Sequence, residues 1–523
     1  MEKNSRLQRS LHDPNEFTLT FELVPSRGGR GKQHSRALAF ARQAAMDGRL
    51  QAVSITENAG GHSALSPEVL GVEIDQMGLD VLVHFSCKDK NRNQMESLLF
   101  AWDRLGLRNL LVLSGDYPKD GYCGLPKPVF DLDSVQALDL INRLNQGRFR
   151  TGPHSRLTAD PTSFYNGVVV SPFKHLEAEL MMQYAKLHRK VAAGARFVIT
   201  QVGFDPRKFQ EVRLYMQQQD LRLPLLGNVF IPNLAVVELM HRGLIPGCVI
   251  PDPLYRQIRD EARSPDQGKR ARLLRAAKLL AVLKGLGYNG AHVGGPALSF
   301  ADLELVMDQA LNFEKNWQEY LTELACWPAD AFYFFEKDAT TGLNRPQAAE
   351  PTAAKRPASI GYPVANLIHN LAFRPQGPLF TPGRKICQAL DRPGLASGLE
   401  RFEYFCKFLA FGCRNCGDCT LAELTFLCPQ SGCAKYLLNG PCGGSRDGWC
   451  EVYPGRKKCL YVKLYARLRA AGRSAEAREG FVPPRDWALN NTSSWLNFYR
   501  GRDHAGRQEE PDATPAQRPN SRE

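Results

Sequence analysis

The feature that most constrains the fold is a repeat of short apolar runs, each followed by a stretch of helical character. Between about residues 17 and 325, eight runs rich in β-branched and apolar residues recur, with most starts about thirty residues apart. That interval suits one strand, one helix and two short loops, so the repeat predicts an α/β fold of the (β/α)8 TIM barrel class. The runs are 18–25, 52–57, 81–87, 110–116, 167–172, 197–202, 225–232 and 290–294.

Helices are predicted between these runs. Residues 95–105, 176–193 and 271–283 carry apolar side chains at spacings of three and four, as one buried helix face requires. The alternative is an open doubly wound sheet. A dinucleotide-binding sheet of that kind would carry GxGxxG after its first strand, and this sequence has none there.

Composition changes after the barrel predict a second, smaller domain. Pro, Thr, Ala and Lys replace the periodic pattern from about residue 328, and ten of the 14 cysteines follow between 367 and 468. The end of the chain is rich in Arg, Glu, Pro and Gln and is predicted to be disordered. The predicted division is an N-terminal extension 1–16, a (β/α)8 barrel 17–326, a linker 327–366, a Cys-rich metal or iron–sulfur domain 367–470 and a C-terminal tail 471–523.

Charge and hydropathy limit the partners. A net charge of +13 over 523 residues is mild, so we expect no nucleic-acid partner, and the surplus positive charge suits anionic small molecules. No apolar run reaches about 18 residues, and the polar start lacks the hydrophobic region of a secretion signal. We therefore expect a cytoplasmic protein with no membrane partner.

Polar residues accompany all eight predicted strands. In this fold chemistry collects at the carboxyl ends of the strands. A single such residue is more often a satisfied core group, but the joint pattern predicts a ligand site. The residues are Glu22, Thr56, His84, Asp116, His175, Gln201, Asn228 and His292.

Two carboxylates stand out within this set. Glu22 lies between Phe21 and Leu23 in a buried strand, so loss of hydration should raise its pKa and make it a proton donor near neutrality. The alternative is a Glu22 paired with a buried Arg or Lys. Asp116 follows Gly115 in a turn, where a negative group could stabilise a cationic intermediate.

A series of motifs over residues 17–300 resembles the methylenetetrahydrofolate reductase family. The resemblance implies a flavin-containing barrel that reduces methylenetetrahydrofolate to methyltetrahydrofolate. The motifs are Phe21-Glu22, Val53-Ser54-Ile55-Thr56, His84-Phe85-Ser86-Cys87, Leu113-Ser114-Gly115-Asp116-Tyr117-Pro118, Lys190-Val191-Ala192-Ala193-Gly194-Ala195 and Ile199-Thr200-Gln201.

The same resemblance implies residue roles. Glu22 matches the general acid, Asp116 the carboxylate that stabilises the iminium ion, and Gln201 a folate contact. Ser114 stands where many relatives have Arg, which removes one likely flavin contact. Together with other departures from the family pattern, this leaves the donor as NAD(P)H or reduced ferredoxin. The positions implied to bind FAD are Thr56, Ala59, His84, Gly115, Asp116, His175, Arg189 and Lys190.

The cysteine spacing predicts a metal site. Three thiolates at CxxCxxC spacing can reach one face of a cluster, and disulfides are improbable in a cytosolic protein. A [4Fe–4S] cluster, zinc and reduced structural thiols all remain open. The run also resembles a small domain attached to a subset of these reductases and an iron–sulfur partner subunit in acetogenic bacteria. The candidate ligands are Cys413, Cys416, Cys419, Cys428, Cys433 and Cys442.

Two other functions compete with the reductase. One is a non-catalytic, metal-stabilised binding module, and the other is a related reductase that acts on another pterin with ferredoxin-type electron input. The acid pair Glu22 and Asp116 favours the enzyme with folate as its partner. The sequence leaves open an electron-donor protein and a homo-oligomer.

Overall fold

The structure, a computed structural model, describes residues 5–152, 155–158, 160–349 and 361–506. Over these ranges the chain forms two compact units. One comprises Met1–Lys355 together with Asn439–Gly480, and the other Arg356–Leu438 together with Phe481–Glu523. The chain therefore leaves the second unit, joins the first for about forty residues and returns, whereas the sequence places residues 439–470 within one C-terminal domain. The part of the predicted tail beyond residue 506 lies outside the described residues.

The first unit contains the predicted barrel. Within the described ranges, eight parallel strands close in the order β1-β10-β9-β8-β7-β4-β3-β2, which confirms the (β/α)8 class. Each begins within two residues of a predicted run. The barrel consists of β1–β4 and β7–β10. All the strands in the described ranges are β1 Thr18–Leu23, β2 Ala52–Ile55, β3 Asp80–Ser86, β4 Asn109–Leu113, β5 Arg148–Gly152, β6 Ser155–Thr158, β7 Tyr165–Val170, β8 Phe197–Thr200, β9 Leu225–Phe230, β10 Gly290–Gly294, β11 Phe335–Lys337 and β12 Asn344–Ala348.

Helices follow the strands as the periodicity predicts. Short 3₁₀ segments lie at Ala59–Gly61, Glu314–Glu319, Ser474–Arg478 and Trp487–Leu489, and a π-helix at His369–Phe373. The α-helices are α1 Arg6–His12, α2 Lys32–Asp47, α3 Pro67–Asp75, α4 Arg92–Leu105, α5 Ser134–Asn145, α6 Glu177–Ala192, α7 Pro206–Gln218, α8 Leu234–His241, α9 Asp252–Glu261, α10 Lys269–Gly285, α11 Phe300–Phe313, α12 Tyr320–Leu324, α13 Gly361–Ile368, α14 Phe380–Leu390, α15 Leu395–Phe411, α16 Pro429–Gly432, α17 Leu460–Ala470 and α18 Ser494–Tyr499.

Alternation along the strands separates two layers. Phe21 and Leu23 belong to the large apolar cluster between the strands and the surrounding helices. Successive strand side chains point to opposite faces, so Thr20 and Glu22 face the barrel interior. The helices pack against the outward-facing side chains of the strands, and polar side chains such as Thr20 and Glu22 occupy inward-facing positions.

Helix α1 closes the amino-terminal end of the barrel. Leu7 and Leu11 are buried in a separate apolar cluster with interior strand residues such as Leu82 and Leu226. The backbone N–H of Leu7 donates to Asp80 Oδ2 at 2.9 Å, at the first residue of β3. The predicted N-terminal extension thus contains a helix that packs into the barrel, and the opposite, carboxyl end carries the polar residues.

The predicted linker also contains structure. Strands β11 and β12 pair antiparallel within the barrel unit, whereas residues 350–360 lie outside the described ranges. In the second unit, Cys387 and the α18 residues Leu496 and Tyr499 form a small apolar cluster. None of the helices in the described ranges combines the length and apolarity needed to cross a membrane.

Candidate active site

Glu22 and two histidines form the polar interior near the carboxyl end of β1. His292 Nε2 lies 3.7 Å from Glu22 Oε2, and its Nδ1 is 2.8 Å from Thr20 Oγ1. Burial alone would raise the pKa of Glu22, but a hydrogen bond from His292 and the charges of His292 and His84 outweigh it, so the pKa lies below its usual range. The prediction of a raised pKa is therefore wrong, because it ignored the partner on the adjacent strand β10. That partner is a histidine and not the Arg or Lys of the alternative.

His84 lies deep in the same interior. Its Nε2 is 2.7 Å from Ser54 Oγ on the neighbouring strand β2. Burial lowers the pKa of His84 to about 4; the carboxylate of Glu22 opposes this and His292 adds to it. His84 is consequently neutral at physiological pH and acts as a hydrogen-bonding group there.

Asp116 organises the loops above β2 and β4. Its Oδ2 accepts a hydrogen bond from the backbone N–H of Gly60 at 2.8 Å, which ties it to the 3₁₀ turn Ala59–Gly61. Gly115 before it has φ = 83°, and a side chain there would begin 3.1 Å from Lys88. The structure thus brings together Ala59, Gly115 and Asp116, three of the positions that the sequence assigned to one cofactor.

Several buried polar atoms near the strand ends lack a protein partner. Within the described part of the chain, no hydrogen-bond partner is present for Thr56 Oγ1, Ser86 Oγ, Ser171 Oγ or Asn228 Oδ1. Buried polar groups are costly unless they are paired. A polar ligand at the carboxyl end of the barrel would satisfy them, so these residues fit a bound cofactor and substrate.

Cys248, which sequence reasoning did not single out, is a buried thiol within electrostatic reach of the candidate site. Burial raises the pKa of its thiol to about 12, followed by the negative charges of Asp116 and Glu22, whereas Lys174 acts in the opposite direction. Electrostatic influence of this kind falls off with distance. Asp116, Glu22 and Lys174 therefore all lie around Cys248, although they come from three different strands or strand ends.

The predicted phosphate contacts bond within the protein. Lys190 Nζ donates to the carbonyl of Val169 at 2.6 Å, and Arg189 Nη2 donates to the carbonyl of Glu479 at 2.8 Å. Burial, then the charge of Lys186, holds the pKa of Lys190 well below its usual range. Their role in binding flavin phosphates stays a prediction.

His175 has acidic neighbours on two sides. Its Nε2 lies 3.4 Å from Asp330 and its Nδ1 3.3 Å from Asp447. The side chain remains 37% exposed, so it is accessible at the surface of the barrel unit. Its predicted flavin contact, like those of Arg189 and Lys190, is untested.

Four of the six candidate metal ligands line one cavity in the second compact unit. Lys407 Nζ lies 3.5 Å from Cys419 Sγ at this site. Burial, then the charge of Cys419, raises the pKa of Cys416 to about 12. The lining cysteines are Cys413, Cys416, Cys419 and Cys428.

The other two candidates fall differently. Cys433 belongs to the second unit, whereas Cys442 lies in the part of the chain that joins the barrel unit. Among the described residues, no group of three or more His, Cys, Asp or Glu side chains has an arrangement that could hold a metal ion. The cavity gathers thiols without setting ligand geometry, so the metal and its ligand set stay predictions.

Comparison with known families agrees with the barrel geometry. Residues 6–292, more than half of the 523, match the family described as "Methylenetetrahydrofolate reductase". The chain belongs to the methylenetetrahydrofolate reductase family. Residues 394–488 match a second family, "Methylene-tetrahydrofolate reductase C terminal", which spans the cysteine cavity and residues 439–480.

Individual relatives match parts of the barrel. The chain is 29% identical over 186 residues to methylenetetrahydrofolate reductase 2 of Saccharomyces cerevisiae, covering 34% of this chain and 28% of that protein. It is 25% identical over 199 residues to 5,10-methylenetetrahydrofolate reductase of Salmonella typhimurium, covering 38% and 59% respectively. The match thus spans well under two thirds of either relative's length.

A solved structure overlaps the chain more broadly at lower similarity. It is that of an uncharacterized protein from Clostridium thermocellum that binds two copies of 5-methyl-5,6,7,8-tetrahydrofolic acid. The TM-score is 0.40 at 10% identity, and the overlap covers 59% of this chain and 99% of that one.

In this reductase-family barrel, one polar helix face escaped sequence reasoning. Gln183, Lys186 and Lys190 follow one another at spacings of three and four on α6, and all three are buried. Polar residues at buried positions of an amphipathic helix are a signal that something polar covers them. The spacing of these three residues is visible in the sequence, but only the structure shows which polar groups they contact.

Proposed function

We propose that the protein reduces 5,10-methylenetetrahydrofolate to 5-methyltetrahydrofolate with a flavin, FAD in the first instance. Family membership supports the reaction class. The observation that carries the proposal is the pair of the half-buried Glu22 and the buried His292, which lies with Asp116 at the carboxyl end of a closed barrel. A proton donor and a separate carboxylate are the groups that ring opening to an iminium ion requires.

The flavin would lie among groups that the barrel leaves unsatisfied. Thr56 supplies a hydroxyl that has no hydrogen-bond partner among the described residues, and Ala59, Gly115 and Asp116 form the adjoining loop contacts. When bound, the flavin supplies hydride transfer to and from carbon. His84, His175, Arg189 and Lys190 complete the proposed set of flavin contacts, with the last two directed to its phosphates.

Glu22 would need to take up a proton before it acts as the acid. The lowered pKa of Glu22 means that its carboxyl is ionised near neutrality, so we propose that folate binding favours protonation of the carboxyl by its neighbour His292, whose Nε2 lies 3.7 Å from Glu22 Oε2. On folate binding, Glu22 passes the proton to the ring nitrogen as the carbon–nitrogen bond of the five-membered ring breaks. Asp116 then stabilises the resulting cation, and Gln201 holds the pterin.

Substitution of Glu22 tests this mechanism. We expect Glu22→Gln to lower kcat at least about 1,000-fold, because the amide cannot donate the proton, while flavin remains bound. Glu16→Gln, at an exposed position outside the barrel interior, is the matched control and should keep wild-type turnover. Normal folate reduction by Glu22→Gln, measured with a chemically reduced enzyme, would remove Glu22 from the mechanism.

The cysteine cavity supports a proposal about electron entry. A [4Fe–4S] cluster held by Cys413, Cys416, Cys419 and Cys428 would favour reduced ferredoxin as donor, whereas zinc there would favour NAD(P)H. An absorption spectrum of anaerobically purified protein, with iron and zinc assayed on the same sample, separates the two. Protein that neither contains nor binds flavin would instead support a metal-stabilised binding module.

A further inference from the structure

Part of the cysteine-rich region packs against the rim of the barrel. Residues 439–448, with the sequence Asn-Gly-Pro-Cys-Gly-Gly-Ser-Arg-Asp-Gly, belong to the barrel unit. We call residues 439–445 the rim segment. Asn439 and Ser445, at its two ends, are buried.

Two buried lysines and a glutamine hold the backbone of the rim segment. Lys174 Nζ donates to the carbonyls of Gly443 and Ser445, at 2.5 and 2.7 Å. Lys186 Nζ donates to the carbonyl of Pro441 at 2.9 Å, and Gln183 Nε2 to that of Cys442 at 2.7 Å. The two lysines are each only 3% exposed.

A carboxylate fixes the start of the rim segment. Asp133 begins helix α5, where its Oδ1 accepts from the backbone N–H groups of Val135 and Gln136. Its other oxygen, Oδ2, accepts from the backbone N–H of Asn439 at 2.7 Å and from Asn439 Nδ2 at 3.1 Å. Both acidic and basic side chains of the barrel thus fix the position of the rim segment.

Polar clamps of this kind set position more than they add stability. A buried ammonium group pays a desolvation cost that its hydrogen bonds must offset, so apolar packing would hold a purely structural cover equally well. Removing one partner, however, leaves a buried group unsatisfied, so other placements of the segment are disfavoured. The arrangement therefore indicates that these side chains hold the backbone carbonyl and N–H groups of the rim segment in one required position.

The rim segment ends beside the residue proposed to hold the folate. An added side-chain carbon on Gly443 would lie 3.8 Å from Gln201 Nε2 and from Ser171 Cβ. One on Gly247, where φ is +78°, would lie 3.0 Å from the carbonyl oxygen of Gly443 and 3.1 Å from Gln201 Nε2. Two glycine-containing stretches, Gly247 before Cys248 and Gly443 in the rim segment, thus converge on the Gln201 amide.

Neighbouring observations point to a ligand at this place. Ser171 is 2% exposed, and its hydroxyl lacks a hydrogen-bond partner within the described ranges. Lys186 Nζ, which holds Pro441, also lies 3.4 Å from Ser114 Oγ, two residues before Asp116. The rim segment therefore covers the sector of β4, β7 and β8, while Glu22 and His292 occupy the sector of β1 and β10.

We propose that the rim segment is a wall of the folate site, and that Gly443 leaves the space in which Gln201 meets the pterin. This inference rests on the proposed function. It makes the cysteine-rich region a contributor to substrate binding, separate from any electron-transfer role. Gly443 is then a specificity-determining residue, while Lys174, Gln183 and Lys186 are positioning residues.

The test compares Gly443→Val with variants of graded effect. We expect Gly443→Val to raise KM for methylenetetrahydrofolate and Kd for 5-methyltetrahydrofolate about 10-fold or more, with flavin content and kcat within about twofold of wild type. Gly443→Ala adds a carbon at ordinary contact distance and should change both constants less than about threefold. Gly398→Val, where an added side chain meets nothing within 4 Å, is the control.

A second variant covers the case in which Gly443→Val does not fold. Gln183→Met removes only the donor to the Cys442 carbonyl, and we expect about a five-fold rise in KM and Kd from the lost hydrogen bond. Wild-type constants in folded Gly443→Val, or in Gln183→Met where Gly443→Val does not fold, would overturn the inference while leaving the reductase intact. Wild-type protein that neither binds nor reduces the folate would overturn the proposed function itself, and the inference with it.

Discussion

The barrel rim is formed by residues from strands distant in sequence, whereas most residues that line the cysteine cavity lie within 411–438, and different forces place the two sites. At the rim, hydrogen-bonded strand registers fix Glu22, Ser54, His84 and His292, and a large apolar cluster surrounds the strands. In the cavity, the lining cysteines lie mainly on loops next to a small apolar cluster. A site built on a sheet is formed before its ligand binds, whereas a site built on loops depends on the ligand to set its geometry.

The largest predicted effect concerns the metal proposed for the second unit. If metal binding supplies its missing core, chelation or Cys416→Ser should abolish its cooperative unfolding transition, because a structural metal contributes about 10 kcal/mol. The barrel transition should persist, as calorimetry and flavin fluorescence would reveal. Cys123→Ser, at an exposed thiol of the barrel unit, is the control. Metal-free protein whose second unit still melts cooperatively would favour reduced structural thiols.

A buried ion pair within the barrel unit gives the next largest effect. Lys208 Nζ bonds Glu211 at 2.9 Å and the carbonyl of Phe332 at 2.7 Å, and both charged side chains are fully buried. Lys208→Met should lower the free energy of unfolding by about 3–5 kcal/mol, because Glu211 loses its counter-charge.

The control for this prediction is Lys278→Met. That lysine pairs with the partly exposed Glu323, so its loss should cost about 1 kcal/mol or less. Denaturant unfolding of both variants checks the contrast. Equal losses of unfolding free energy in the two variants would mean that the barrel tolerates an unpaired buried charge. The barrel would then be less rigid than a site formed before its ligand binds.

The pH dependence of stability probes the barrel interior. The pKa of His84 is about 4 in the folded protein and 6.5 when unperturbed, so the unfolded chain binds more protons between these values. Stability contributed by neutral His84 is therefore complete above pH 6.5 and is lost as pH falls towards 4, by about 3 kcal/mol. Glu22, His292 and Ser54 face this ring. His84→Gln should reduce the loss of stability between pH 6.5 and 4 by that amount, and an unchanged pH profile would contradict it.

Sequence patterns predicted the barrel well but the electrostatics of its interior poorly. The eight strand positions follow from apolar runs, a local property, and the closed barrel confirms them. The pKa of Glu22 depends on His292, which the parallel pairing of β1 with β10 brings next to it on the adjacent strand. No local pattern reveals such a partner, so burial was weighed without the charge that offsets it.

The cysteine-rich region gave the opposite lesson about domain boundaries. Its CxxCxxC spacing identified residues that do line one cavity, but the common cysteine-rich composition of residues 367–470 suggested one continuous domain. Within the structure, Asn439–Gly480 instead belongs to the barrel unit. Composition cannot show that part of a cysteine-rich region packs into a different compact unit, because the contacts that decide this join residues far apart in the sequence.

The sequence by itself determined the barrel class, the identity of the polar strand-end residues and the clustering of thiols. These properties depend on periodicity and spacing over short distances. Only the tertiary structure decided that His292 is the partner of Glu22, that Cys248 lies among the candidate groups, and that the rim segment meets Gln201. The physical reason is that hydrogen bonds and electrostatic shifts depend on separations of a few ångströms, which residues far apart in sequence reach only when the fold is complete.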